Sequence, residues 1–320
     1  MMFQHAAPLD GPDGLAELPA WAGMSRAASA EAVAFQSGAM CAVLNTLVTD
    51  PESGVPVPLL ANHLAAQAAE ATSKLEGRMA RAAELRDAFY LTPAGEARGP
   101  DGDLLDFWRQ AARLRPGRGD RQAGIAALVG QGFAEHSAHW IDRGSALAQT
   151  HGPLAGCAAV LEGVFQADSR AERVACLASD LVLASALRWK TVLPVTAPRL
   201  TKTIVRQLAA GEPEARLAAQ RTILSTLQDA IRLARMLARC AAALTRVAPK
   251  LRAKGAEAAV ALFLKETAVS PGSMLSPVIQ GTRCAMTDRA ARRLCDRLVS
   301  LGVVHELTGR STFRLYGIMP

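Results

Sequence analysis

Six arginines near the C-terminus are the residues of this chain whose types and spacing point most directly to chemistry. Wound as a helix at about 100° per residue, the segment 288–301 is two-faced. Arg289, Arg292, Arg293 and Arg297 share one side, and Ala290, Leu294, Leu298 and Leu301 share the other. A row of guanidiniums has no proton to exchange near neutral pH. It offers forked N–H donors that match phosphate oxygens and the O6/N7 edge of guanine. Arg289 and Arg293 sit nearest the start of the segment and are best placed for base edges. Arg310 and Arg314 lie in the short tail that follows and suit phosphate contacts. The chemistry indicated is recognition of a polyanion, with double-stranded DNA the fullest match.

Other clusters are weaker. Glu135-His136-Ser-Ala-His139 puts two imidazoles on one helical face, and His151 or Glu162 could add to them. This is half of a carboxylate–histidine site, and no metal is assigned. Arg86, Asp87 and Tyr90 lie within one helical turn or so, either as a polar pocket or as a pair that bonds to a neighbouring loop. Arg188-Trp189-Lys190 reads as a buried indole at a helix end with its flanking charges turned outward. No phosphate-cradling glycine loop, dinucleotide fingerprint, nucleophile elbow or His-Glu-x-x-His occurs. No cofactor is therefore expected, no catalytic residue is assigned, and a non-enzymatic role is favoured.

The elements that must position these residues are helical. Half of the 320 residues are hydrophobic, only 4% are aromatic, and alanine and leucine predominate. Both are strong helix formers. Residues 1–29, rich in Pro, Gly and Ala, read as an extended N-terminal segment that could lay Leu18 and Trp21 on the body. Residues 30–250 read as an all-helical domain. Its longest helical pattern, 214–248, carries Leu217, Leu224 and Ile231 at sevens, with Leu227 and Ala234 at the offset of three. That seam fits a core helix of a bundle better than a self-associating coiled coil, although self-association through it is a second possibility. Pro249 and the basic run Lys250–Gly255 mark a boundary.

Residues 255–320 then read in order as a helix (256–266), a short second helix (274–280), the arginine helix capped by Thr287, and two strands (303–307 and 311–316) joined by Thr308-Gly309-Arg310. This is the plan of a winged helix with a two-stranded wing. Such modules also bind proteins, so a helical adaptor is the alternative partner reading. An enzyme with its site in the helical body is a third.

Charge supports the first reading. Residues 1–160 hold 12 Lys+Arg against 17 Asp+Glu, while residues 161–320 hold 24 against 12. The basic half is the one to meet an anion. The six cysteines are scattered and form no Cys-x-x-Cys, as expected of reduced thiols in a cytoplasmic protein. No apolar run approaches the length of a membrane span, and the first residues do not form a secretion signal.

The tail, Thr287-Asp-Arg-Ala-Ala-Arg-Arg-Leu-Cys-Asp-Arg-Leu298 followed by Leu301-Gly-Val-Val-His-Glu-Leu-Thr-Gly-Arg310, is similar to the C-terminal winged helix of several bacterial families, Fic-domain proteins among them. Their catalytic His-Pro-Phe is absent here. The whole chain resembles the bacterial domain-of-unknown-function family 1403. That likeness is carried by Glu84-Leu-Arg-Asp-Ala-Phe-Tyr-Leu-Thr-Pro-Ala-Gly95, by Ser179-Asp-Leu-Val-Leu-Ala-Ser-Ala-Leu-Arg-Trp189 with Leu193-Pro194, and by the tail. The resemblance implies a mainly helical bacterial protein and brings no catalytic residues.

Overall fold

The computed structural model describes residues 14–22, 29–93 and 95–319. Among them are twelve α-helices and one two-stranded hairpin. In chain order the helices are α1 (Ala30–Thr49), α2 (Val57–Leu75), α3 (Ala82–Tyr90), α4 (Gly99–Ala111), α5 (Arg118–Val129) and α6 (Gln131–His151). They continue with α7 (Pro153–Ala167), α8 (Glu172–Ala186), α9 (Lys202–Ala210), α10 (Ala215–Val247), α11 (Ala256–Phe263) and α12 (Asp288–Ser300). The strands β1 (His305–Glu306) and β2 (Tyr316–Gly317) close the chain. The chain is mainly α with a small C-terminal wing.

The long helix expected at 214–248 forms as Ala215–Val247, and the ends of the other helices are set by local signals. Ser29 caps α1 by accepting from the Ala32 amide at 3.2 Å. Thr201 does the same for α9, and Gly211 ends it in the left-handed conformation. α1 is largely apolar. An 18-residue stretch within it has a mean hydropathy of 1.4, enough by length and composition alone to cross a membrane. It does not stand out as an unbroken apolar run because Gln36, Ser37 and Asn45 interrupt it. In this fold α1 lies along α10, with Val33, Met40, Leu44 and Leu47 buried.

α10 packs against α1, α2, α7 and α9. Its seam residues Leu224, Leu227, Ile231 and Ala234 are buried, and Leu217 is half-buried. The heptad pattern thus serves the chain's own core. α6 and α7 form a close antiparallel hairpin turned at Gly152, whose φ is +91°. The close approach depends on Gly144 and Gly156. A Cβ on Gly156 would run into the Gly144 carbonyl oxygen and lie 2.8 Å from the Ala148 Cβ.

Asp180 on α8 holds the irregular stretch after Trp189. Its Oδ1 accepts from the amides of Val195 (3.1 Å) and Thr196 (2.9 Å) and from the Thr196 hydroxyl (2.6 Å), while Oδ2 has no partner among the described residues. Burial pushes the carboxyl up from 3.8 to about 7, against the lowering effect of those hydrogen bonds. Trp189 is buried, with its Nε1–H donating to Asn45 Oδ1 at 3.0 Å. Arg188 and Lys190 point out, as read from the sequence.

Four expectations need correction. Of the N-terminal segment, Leu18 packs on the core, but Trp21 is 63% exposed and meets the exposed Phe35 ring at 5.5 Å. The rest of that segment, 1–13 and 23–28, lies outside the described residues. The second helix expected at 274–280 is only a five-residue π-helical turn, Pro271–Leu275. Pro277 lacks an amide hydrogen and cannot continue it; Val278 pairs with Ala285 in an isolated bridge instead. The expected strands 303–307 and 311–316 shrink to two pairs, His305 with Gly317 and Glu306 with Tyr316, so that of the second only Tyr316 takes part and the strand ends one residue beyond its expected end. The buried side of α12 is Ala291, Leu294, Cys295 and Leu298, rotated from the expected stripe, so that Ala290 and Leu301 are only half-buried.

Two outcomes follow from this packing. Gly156→Ala should lower stability by about 1–3 kcal/mol through overpacking, whereas Gly38→Ala, exposed in α1 with nothing within 4 Å, should raise it by about 0.5–1 kcal/mol. Urea melts of both variants check the pair. For Asp180, a carboxyl raised on folding binds more protons in the folded chain, so stability falls as pH rises from 3.8 to about 7. Asp180→Asn keeps an oxygen acceptor without the charge. Its stability relative to wild type should rise across that window and level off above it, measured by thermal melting at several pH values.

Candidate polyanion-binding cleft

The C-terminal 65 or so residues are fastened to the helical body before they form any surface of their own. Glu266 follows α11 and meets Arg109 of α4, with Oε2 2.5 Å from Nη2. Both side chains are buried, at 3% and 4% exposure. Arg109 Nη1 also donates to the Tyr90 hydroxyl at 2.7 Å, which in turn donates to Glu266 at 3.0 Å and lies 3.0 Å from the Thr267 hydroxyl. Burial, the larger influence, pushes the Tyr90 phenol up to about 12. The Arg109 guanidinium rests 4.8 Å from the Phe89 ring centre, and Arg98 lies over the same ring at 4.4 Å.

Three further ties surround this centre. Asn62 donates to the Lys265 carbonyl at 2.8 Å, Arg86 to the Leu307 carbonyl at 3.0 Å, and Arg310 pairs with Asp87 at 2.9 Å. Arg86 also pairs with Asp87 at 2.7 Å. The polar pair read at Arg86 and Tyr90 therefore bonds to neighbouring segments, the second of the two readings open from the sequence. Val269 exchanges backbone hydrogen bonds with Tyr316, so that 269, β2 and β1 lie side by side.

On this support, Thr287 Oγ1 accepts from the Ala290 amide at 3.3 Å and opens α12. Arg289, Arg293 and Arg297 follow at successive intervals of four. They line a cleft of about 630 Å³ whose opposite wall is the segment after α10, including Lys250 and Arg252. All five cations are exposed or half-exposed at the cleft. Among the described residues, none of the five is within ion-pair distance of a carboxylate. The arrangement can hold an extended anion whose charges are spaced along it, such as a phosphodiester backbone.

The six arginines singled out from the sequence are thus divided. Arg289, Arg293 and Arg297 come together with the basic linker. Arg292 pairs with Asp288 at 3.0 Å and faces a second groove shared with Ser311–Arg314. Arg310 is engaged by Asp87, and Arg314 Nε donates to the Arg310 carbonyl at 3.0 Å. Spacing along a helix shows which residues share a side, but not which carboxylate a distant segment brings to them. The contribution of Lys250 and Arg252 was visible only as a basic run, with no local signal that it folds back on α12.

The other clusters do not converge. His136 and His139 do not share a ligand set, and His136 Nδ1 lies 2.8 Å from the Gly132 carbonyl oxygen of its own helix. His151 meets Thr150, and Glu162 pairs with Arg216 at 2.8 Å. Among the described residues there is no group of three or more potential metal ligands. The six cysteines are unpaired, and four of them are buried.

Fold and site together define a mainly helical protein with a cationic cleft between its last helix and the segment that enters the C-terminal region. Residues 8–318 match the family described as "Protein of unknown function (DUF1403)", and the chain belongs to that family. Neither the comparison with curated proteins nor that with solved structures finds a match.

The buried pair sets a clear expectation. Glu266→Gln or Arg109→Met leaves one charged or strongly polar partner stranded and should cost about 3–5 kcal/mol. In a double-mutant cycle the combined variant should lose much less than the two losses added, read from denaturant melts.

Proposed function

We propose that this protein is a cytoplasmic, DNA-associated protein that grips duplex DNA through its C-terminal region, built as a winged helix with α12 as the groove-facing helix. The observation that carries this reading is the cleft of five cations, Lys250, Arg252, Arg289, Arg293 and Arg297, with no carboxylate paired to them among the described residues. The order of elements supports it: a helix, a strand-like contact at Val269, a helical turn, α12 and a hairpin, with Val269 paired to the last strand. The second helix of such a module is here reduced to a single turn. In this reading Arg289 and Arg293 approach base edges from the first turns of α12. Lys250, Arg252 and Arg297 bind phosphates. Arg292, Arg310 and Arg314 flank the site, with Arg310 held back by Asp87.

Binding of a labelled duplex, followed by fluorescence anisotropy across a salt series, tests this. Wild type should bind with an affinity that falls steeply with salt. Removing one phosphate-neutralising cation should reduce the slope of log K against log salt by about 0.9, so Lys250→Ala/Arg252→Ala should flatten it by about two such steps. Arg289→Ala/Arg293→Ala should weaken binding and blunt any preference between guanine-rich and other duplexes. Absence of binding at low salt, or equal binding by the variants, overturns the proposal. The cleft would then be treated as a surface for an acidic protein, as the adaptor reading holds.

A further inference from the structure

A second cavity, of about 540 Å³, lies where α2 and α3 meet the end of α12 and the hairpin. It is distinct from the cationic cleft and shares no residue with it. Its walls are mainly apolar, with Leu105, Val304, Leu307 and Met319 prominent among them. Its volume falls in the range of about 300–1,000 Å³ typical of small-molecule sites, and joints between packed units are where such sites gather.

The polar groups around it differ in how far their bonding is satisfied. Arg86 is held by Asp87 through Nε (2.9 Å) and Nη2 (2.7 Å), and by the Leu307 carbonyl through Nη1. Glu306 accepts from the amides of Thr308 and Gly309, each at 2.8 Å. Burial works to raise its pKa, but these bonds prevail and keep it below the usual value. The two imidazoles on the wall, His63 and His305, are different: among the described residues neither side chain has a hydrogen-bond partner. His305 is exposed to water, whereas His63 is half-buried, and burial holds the pKa of His63 down to about 4. At neutral pH His63 is therefore an uncharged imidazole, offering one donor and one acceptor.

Arg86 and Glu306 are thus already hydrogen-bonded, and of the two free imidazoles the half-buried one, His63, is neutral. A ligand bringing its own charge would have to be desolvated with no counter-ion left to meet it. We propose that this cavity binds an uncharged, largely apolar small molecule, of the aromatic alcohol or aryl amide class, whose single polar group bonds to His63. The site is argued from its own walls and does not rest on the DNA reading.

1-Naphthol serves as the probe, with binding to the full chain followed by its fluorescence and by the shift in melting temperature. Wild type should bind it at or below about 1 mM, as expected of a small apolar ligand. The charged analogue 1-naphthoate should bind at least about tenfold more weakly. His63→Phe keeps the volume and removes the hydrogen bond, and should weaken binding by about fivefold. Ala66→Trp, half-buried one turn from His63 and in the cavity wall, should abolish binding by filling the space. Melting curves show that each variant is folded, and His63→Phe alone suffices if Ala66→Trp is not. No binding to wild type at 1 mM (about −4 kcal/mol), equal binding of the naphthoate, or unchanged binding by folded variants would each overturn the proposal.

Discussion

The ion pair between Arg109 and Glu266, withdrawn from water, is the constraint on which the C-terminal half depends. Two charges in a low-dielectric interior are costly, and their attraction offsets that cost only when remaining donors and acceptors are also met. Here the Tyr90 hydroxyl sits between them and passes a hydrogen bond onward. Within this centre Arg109 Nε is the atom left without a partner among the described residues. The geometry of the centre sets where residues 265–267 lie. That in turn sets Val269 against Tyr316, and through the hairpin the position of α12. The buried apolar residues form one continuous cluster from Val33 to Ile318, so the tail shares a core with the body.

Charge is allocated unevenly around that core. In the body, arginines are met by carboxylates from other segments: Arg173 by Glu76, Arg199 by Asp229, Arg216 by Glu162, Arg235 by Glu17. Such surface pairs add little to stability, but they offset part of the positive charge on that surface. The cleft beside α12 has no such partners among the described residues. The excess of basic residues in the second half of the sequence is shared equally between the stretch before Lys250 and the stretch from it onward, and the cleft gathers five of the later cations where their potential can be felt by a ligand.

Much of the fold was legible in the sequence because its signals are local. The Thr287 cap, the break at Pro249 and the apolar spacing of α10 each act within a turn or two. The arginine face of α12 was legible for the same reason. What was not legible depends on partners far along the chain. Glu266 and Arg109 are 157 positions apart, and Arg86 and Leu307 are 221 apart. No periodicity marks either pair, so the clamp could not be read, nor the engagement of Arg310 by Asp87. The truncated second helix differs in kind. Its signal, Pro277, is local and stands inside the expected helix, among apolar residues whose spacing suggests that the helix continues.

The same distances bear on the order in which the chain can acquire its shape during synthesis. α3 and α4 emerge early, but Glu266, which meets Arg109 and Tyr90, and Leu307, which accepts from Arg86, are made late. Until they arrive, Arg109 has no carboxylate to accompany it into the interior, and its guanidinium is best left in water. The surface of α2, α3 and α4 that later receives the tail must remain open over more than half of translation. Contacts of this span are slow to close, because the loop entropy is spent before the contact forms. The nascent body thus presents a temporary apolar docking face, and ribosome-bound chains of this protein are suited to recognition by chaperones until residue 266 and its neighbours are free to fold back.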